Sequence, residues 1–236
     1  MKATINKRLL ICSELVRDGA VLADVGTDHA YLPIYLLQKG KIERAVLSDI
    51  NQGPLNKARE NSEKAGFINK VELRLCNGAS ELSDSGATDY AICGMGGELI
   101  AEIIENAPHL KSEKINLILQ PMSKSEVLRE YLFTHGFHIA RERYVTDTGK
   151  HYVCILARFC GKNTPFDEAD LYFGRYNAFK EANGNELQRY MKVKLESLSR
   201  AAEGKRLGGI AAERETELLG ALLERMKNVD TEREDI

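Results

Sequence analysis

The chain of 236 residues lacks a C-x-x-C pair, histidines at metal-ligand spacing, a G-x-G-x-x-G loop and a long apolar run near its start. Each absence excludes something. Its five cysteines (Cys12, Cys76, Cys93, Cys154 and Cys160) are scattered, which argues against a zinc site or a disulfide framework and favours a reducing, cytoplasmic setting. His29, His109, His135, His138 and His151 show no ligand spacing, so no metal is expected. The opening MKATINKRLL leads directly into an amphipathic pattern, and neither a secretory signal nor a membrane span is expected. No internal repeat or low-complexity segment stands out. The formal net charge of −2 leaves the class of partner open, because a basic face can hide inside a neutral total.

What is present alternates. Leu9, Leu10, Cys12, Leu15 and Val16 recur at helical spacing and predict a first helix over about 5–18. Short aliphatic runs follow at Ala20–Val25, Arg44–Ser48, Val71–Leu75, Tyr90–Cys93 and Ile115–Leu119, each bounded by turn residues, as parallel strands covered on both faces require. Helices are predicted between them at 30–39, 54–65, 97–106 and 123–135, the last opening on Ser123-Lys124-Ser125-Glu126, a capping-box spacing. Phe137–Thr146 and Lys150–Phe159 flank Asp147-Thr148-Gly149 as a hairpin. The expected fold is α/β: a doubly wound, mostly parallel sheet with a terminal antiparallel hairpin. Pro165 and the polar stretch GKNTPFDEAD mark a boundary, giving expected domains 1–160 and 161–236. The second reads as a helix at about 167–182 followed by a helical, coiled-coil-like hairpin. Leu187, Met191, Leu195, Leu198 and Ala202 form one stripe; Leu219, Leu222, Leu223 and Met226 form another; Gly208-Gly209 makes the turn.

In such a sheet, ligands bind beyond the carboxyl ends of the strands. Four polar or glycine-rich segments end strands there: Asp24-Val25-Gly26-Thr27-Asp28-His29, Ser48-Asp49-Ile50, Cys76-Asn77-Gly78 and Cys93-Gly94-Met95-Gly96-Gly97. Asp49, 25 positions after Asp24, sits where a carboxylate accepts both ribose hydroxyls of an adenosine. Asp28 stands where a second glycine would be usual in a phosphate loop. A carboxylate there repels a pyrophosphate but favours the sulfonium and ammonium of S-adenosylmethionine. Taken singly, Asp24 and Asp49 serve equally well as turn caps, and Gly94–Gly97 as a tight strand–helix turn. His29 reads as a packed residue rather than a base, and Tyr31 as packing or a ligand contact. The joint placement favours a ligand site.

The segments GTDHAYLP (Gly26–Pro33), SDINQGPL (Ser48–Leu55), CGMGG (Cys93–Gly97) and LILQP (Leu117–Pro121), in this order and spacing, closely resemble the bacterial tRNA (adenine(22)-N(1))-methyltransferases over about residues 5–159. The resemblance implies a class I, Rossmann-like methyltransferase domain, a helical C-terminal domain, S-adenosylmethionine as cofactor and tRNA as substrate. It implies that Asp24, Gly26, Thr27, Asp28 and Tyr31 hold the cofactor, with Asp49 and Ile50 at the ribose, Asn77 and Gly78 at the adenine edge, and Gly94 and Met95 where the methyl group meets the target base. Asp28 is the candidate catalytic residue, favouring positive charge on the base, while Gln120 and Met122 are candidates for positioning it. The chain departs from the family pattern at Met122, where asparagine is usual.

A base inside a folded tRNA must be exposed to reach such a pocket, and affinity comes mainly from phosphate contacts. Arg189, Lys192, Lys194, Arg200, Lys205 and Arg206 face only Glu196 and Glu203 within Arg189–Arg206, a local +4 that reads as an RNA grip or as a solvated helix face. Competing expectations are a methyltransferase of another RNA or small molecule, a non-catalytic RNA-binding protein on the same scaffold, and an NAD-dependent oxidoreductase, which Asp28 opposes.

Overall fold

Aliphatic runs between turn residues pair here into one sheet, as the computed structural model shows for residues 5–174 and 184–234. The elements run α1 (Lys7–Leu15), β1 (Ala20–Val25), α2 (Tyr31–Gln38), β2 (Ile42–Asp49), α3 (Gln52–Ala65), β3 (Val71–Leu75), β4 (Asp89–Gly96), α4 (Gly97–Glu105), β5 (Asn116–Ser123), α5 (Ser125–Thr134), β6 (Phe137–Asp147), β7 (Lys150–Phe159), α6 (Glu168–Phe173), α7 (Gly184–Leu207) and α8 (Glu213–Glu234). The seven strands lie in the order β3-β2-β1-β4-β5-β7-β6. The first five are parallel, and β7 runs antiparallel to both its neighbours. Strand order reverses between β1 and β4, so a crevice opens where the chain leaves those two strands.

Side chains alternate across the sheet, and each face has its own core. Ala20 and Leu22 of β1 join Ile11, Leu15, Leu36, Leu37 and Ala58 from α1, α2 and α3. Ala23 and Val25 point the other way, into a cluster with Ile100 and Ile104 of α4 and Leu128 and Leu132 of α5. That second cluster continues without interruption into Phe173 of α6, Leu187, Tyr190 and Met191 of α7, and Leu222 of α8.

The structure departs from the sequence expectations in three places. The capping box is absent: α5 begins at Ser125 behind Lys124, which sits at φ +53° with no side-chain cap bond. Ser123 is held in β5 opposite Gly96, while Ser125 and Glu126 bond to Tyr190 and Lys194 of α7 instead. Cys93–Gly96 forms the irregular end of β4 and not a loop, with register shifts on both sides of Met95. In α8, Leu223 faces outward at 46% exposure and Leu218 takes the buried position. Of the helix expected at 167–182, the structure forms only α6, Glu168–Phe173, which Gly174 ends at φ +86°; residues 175–183 lie outside the described residues.

Candidate active site

β1 ends in a turn that folds back over β2. Gly26 adopts φ +73°, and the amides of Gly26 and Thr27 both donate to the Ser48 carbonyl, at 2.8 and 2.9 Å. A Cβ on Gly26 would stand 2.0 Å from Met95 Cε, so this glycine is where the β4 end closes on the turn. Ala30, at φ +58°, then starts α2. A cavity of about 250 Å³ opens here, walled by Asp24, Asp28, His29, Tyr31 and Cys93 on the sheet side and by Asn6, Arg8 and Leu9 from α1 and its cap.

Two carboxylates of different character share this cavity. Asp24 is buried, and burial pushes its carboxyl up to about 6, against a smaller opposing pull from Thr27. Thr27 Oγ1 is itself buried without a hydrogen-bond partner of normal geometry, an orphaned polar atom beside the carboxylate. Asp28 is largely solvent-exposed, 3.4 Å from His29 Nε2. His29 leans on the Tyr31 ring at 5.1 Å, and its backbone carbonyl accepts from Asn61.

The remaining sheet-edge residues follow the register. Asp49 Oδ1 accepts from the Asn51 amide at 2.8 Å, so this side chain does cap the turn into α3; Oδ2 keeps no hydrogen bond among the described residues. Ile50 and Leu75 beside it are apolar and more than half exposed. Asn77 is exposed, and Gly78 at φ +63° packs against Ile103. These five lie along the edge but outside the cavity wall. Gly94, at φ +82°, donates its amide to Gln120 Oε1 at 3.2 Å.

Gln120 is fully buried, and both ends of its amide are engaged within the protein: Oε1 also accepts from Arg8 Nη1, and Nε2 donates to the Pro121 carbonyl. It therefore braces the Gly94 turn and does not face a substrate, unlike Met122, which is 43% exposed at the edge. Arg8 is the residue sequence reasoning missed. Nothing local marks it, because its partner Gln120 lies 112 positions away.

The six cations of α7 are placed less simply than their sequence cluster implies. Arg189 pairs with Glu186, Lys205 with Glu215, and Lys194 with Glu126 while lying over the Tyr190 ring. Arg206 donates to Thr216, and Arg200 to the Glu196 carbonyl. Three further acids thus sit against the patch, which holds six cations against five acids. Lys192 and Arg200 are exposed and have no acidic partner among the described residues.

These features fit S-adenosylmethionine: carboxylates face a cationic ligand, glycines at positive φ allow backbone approach, and a buried hydroxyl awaits a partner. Comparison with known proteins agrees. Residues 5–155 match the family described as a methyltransferase domain. The tRNA (adenine(22)-N(1))-methyltransferase of Bacillus subtilis is 33% identical over 170 residues, 72% of this chain and 71% of that protein. A Streptococcus pneumoniae protein solved in complex with S-adenosyl-L-methionine is 30% identical, covering 93% of this chain and all (100%) of its own, with a TM-score of 0.80. M. capricolum TrmK, solved with S-adenosyl-homocysteine, is 27% identical with a TM-score of 0.75, covering 96% of this chain and 98% of its own.

Proposed function

The chain belongs to the tRNA (adenine(22)-N(1))-methyltransferase family, and from that premise we propose that it methylates N1 of adenine 22 in tRNA. The observation that carries the chemistry is the pair Asp24 and Asp28 in one cavity at the end of β1, with the sign for a sulfonium and against a pyrophosphate.

Bound there, S-adenosylmethionine supplies an electrophilic methyl group to which adenine N1 gives its lone pair, the displaced sulfur leaving neutral. Asp24, Gly26, Thr27 and Tyr31 hold the methionine side of that ligand. Asp49 takes the ribose, between Ile50 and the Asn77–Gly78 turn. Asp28, exposed at the same cavity, stabilises the positive charge that develops on the base and accepts a hydrogen bond from its amino group. Met95 and Met122 flank the base, and Gln120 steadies Gly94 from behind. Holding N1 in line with the methyl carbon is the main task left to the protein.

Residues 1–160 act as the cofactor-binding unit, and 161–236 grip the tRNA through Lys192 and Arg200. Five unpaired cysteines suit a cytoplasmic setting, and no helix among the described residues is long and apolar enough to cross a membrane.

The test is mass spectrometry of nucleosides after incubation with unmodified tRNA and S-adenosylmethionine. One methyl group at N1 of adenine 22 is expected. A different methylated nucleoside would reassign the substrate, and none would leave only a binding role. In the same assay Asp28→Asn lowers turnover about 100-fold while changing S-adenosylhomocysteine affinity only a few-fold; an unchanged rate removes Asp28 from the mechanism.

A further inference from the structure

The wall that meets the base in the proposed reaction is made by the ends of β4 and β5, and both ends run directly into helices. Met95 leads through Gly96 into α4, and Met122 leads through Ser123 and Lys124 into α5. The two junctions touch. Gly96 is paired with Ser123, and a Cβ on Gly97 would stand 2.1 Å from the Lys124 carbonyl oxygen. The place where α5 starts therefore sets where Met95 and Met122 stand. We propose that Tyr190 and Lys194 of α7 are positioning residues for methyl transfer: they hold the first turn of α5 against the β4–α4 junction and so fix the wall that meets the target base. The helical tail then serves turnover as well as tRNA affinity.

Three observations carry the proposal. First, α5 is not held by a cap of its own. Lys124 lies at φ +53° with no side-chain cap bond, a left-handed conformation that a non-glycine residue keeps only where its surroundings impose it. Second, the holding groups come from the tail. The Tyr190 hydroxyl lies 2.8 Å from that of Ser125, the first residue of α5, and Lys194 Nζ donates to Glu126 Oε2, on the second residue, at 3.0 Å. Tyr190 is buried, and the Lys194 and Glu126 side chains are each only 24% exposed, so this pair is not a solvated rim contact that water would screen away. Third, Tyr190 is itself fixed. Its ring centroid lies 5.0 Å from that of Tyr144, with the Arg129 guanidinium at 6.0 Å and Lys194 Nζ at 5.6 Å.

Tyr190 and Lys194 are four positions apart and share one face of α7. Lys192 and Arg200, which are exposed, are left for the nucleic acid. One helix thus carries two tasks on two faces. The inference rests on the adenine-N1 reading of the site and adds to it a mechanical role for the tail.

Single-turnover methylation of limiting tRNA by the full chain tests it, with sites counted by the stoichiometry of S-adenosylhomocysteine binding in calorimetry. Tyr190→Phe combined with Lys194→Met should lower the saturating rate constant about 10-fold, while the half-saturating concentration and S-adenosylhomocysteine affinity stay within about two-fold of wild type. Lys194→Arg, which keeps a cation for Glu126, should stay within about two-fold in all three. If the double variant binds no S-adenosylhomocysteine, Tyr190→Phe alone decides, because it removes one oxygen and keeps the packing; its expected loss in rate constant is about 3-fold. An unchanged rate constant with fewer sites would show that the contacts only stabilise the fold. An unchanged rate constant with a raised half-saturating concentration would make Lys194 a tRNA contact. Either result overturns the inference and leaves the adenine-N1 reading standing. A wild type that binds S-adenosylhomocysteine but methylates no adenine at N1 overturns that reading, and the inference falls with it.

Discussion

Asp24 and Asp28 are four positions apart and share one cavity, yet burial separates their chemistry. The Asp24 carboxyl is pushed up to about 6, against 3.8 for a free side chain, chiefly by burial. Between those values the folded, ligand-free protein takes up a proton on this group that the unfolded chain does not, so stability from this group rises as pH falls through about 6 and is lost as pH rises through it. Cofactor binding has the opposite demand, because a cationic ligand needs the carboxylate. Asp24→Asn mimics the protonated form. In thermal unfolding, the variant's stability advantage over wild type at pH 7.5 should shrink by pH 5. In calorimetry, wild-type affinity for S-adenosylhomocysteine should fall about 10-fold over the same range, with the variant weak and flat throughout. A parallel pH dependence for the two proteins would show that Asp24 does not titrate there. The sign of both aspartates was legible in the sequence, because charge is a property of the residue. Which of them is buried was not.

At the scale of elements, the short aliphatic runs locate every strand, and Ala20–Val25, Val71–Leu75 and Lys150–Phe159 coincide with their expected bounds. But β4 and β5 run on to Gly96 and Ser123, past the expected Cys93 and Leu119, and β2 starts at Ile42, before the expected Arg44. The glycine run CGMGG was legible as a place of close approach but not as to what approaches. Two parts of the chain meet there. A Cβ on Gly97 would stand 2.1 Å from the Lys124 carbonyl oxygen, and Lys124 already occupies the left-handed region at φ +53°. Backbone has nowhere cheap to move, so Gly97→Ala should cost about 1–3 kcal/mol in urea unfolding. Gly220, within α8 with nothing inside 4 Å of an added Cβ, should gain about 0.5–1 kcal/mol on conversion to alanine. The same substitution thus has opposite signs, decided by contact and not by residue type. If Gly97→Ala is neutral, the α4–Lys124 approach is not a constraint on the fold.

At the scale of the whole molecule, the helical tail is tied to the sheet through polar groups as well as apolar ones. The Ser125 and Tyr190 hydroxyls lie 2.8 Å apart, Glu126 pairs with Lys194, and Arg129 pairs with Glu142 where both side chains are fully buried. Arg129 also donates to the Leu171 carbonyl, and the Tyr144 hydroxyl reaches both Glu142 and the Phe173 carbonyl. Deleting the tail would expose this network, so the role of the tail in gripping tRNA is better tested on its surface. Lys192→Gln with Arg200→Gln should weaken tRNA binding at low salt, reduce the slope of log affinity against log salt by about 1.5–2, and leave S-adenosylhomocysteine affinity unchanged. An unaltered salt slope would place the RNA contact elsewhere. The succession of strands and helices along the chain, the α/β fold, the stripe of α7 and the acids at the sheet edge follow from the sequence by itself, because hydrophobic period and charge are written locally along the chain. The bracing of Arg8 by Gln120 across 112 positions, the requirement for Gly97, and the pairing of α7 cations with Glu126 and Glu215 were decided only by tertiary structure. The Arg8, Gly97 and Glu126 contacts join segments distant in sequence, and Lys205 meets Glu215 only once the α7–α8 turn has closed, so no local pattern records which of them will meet.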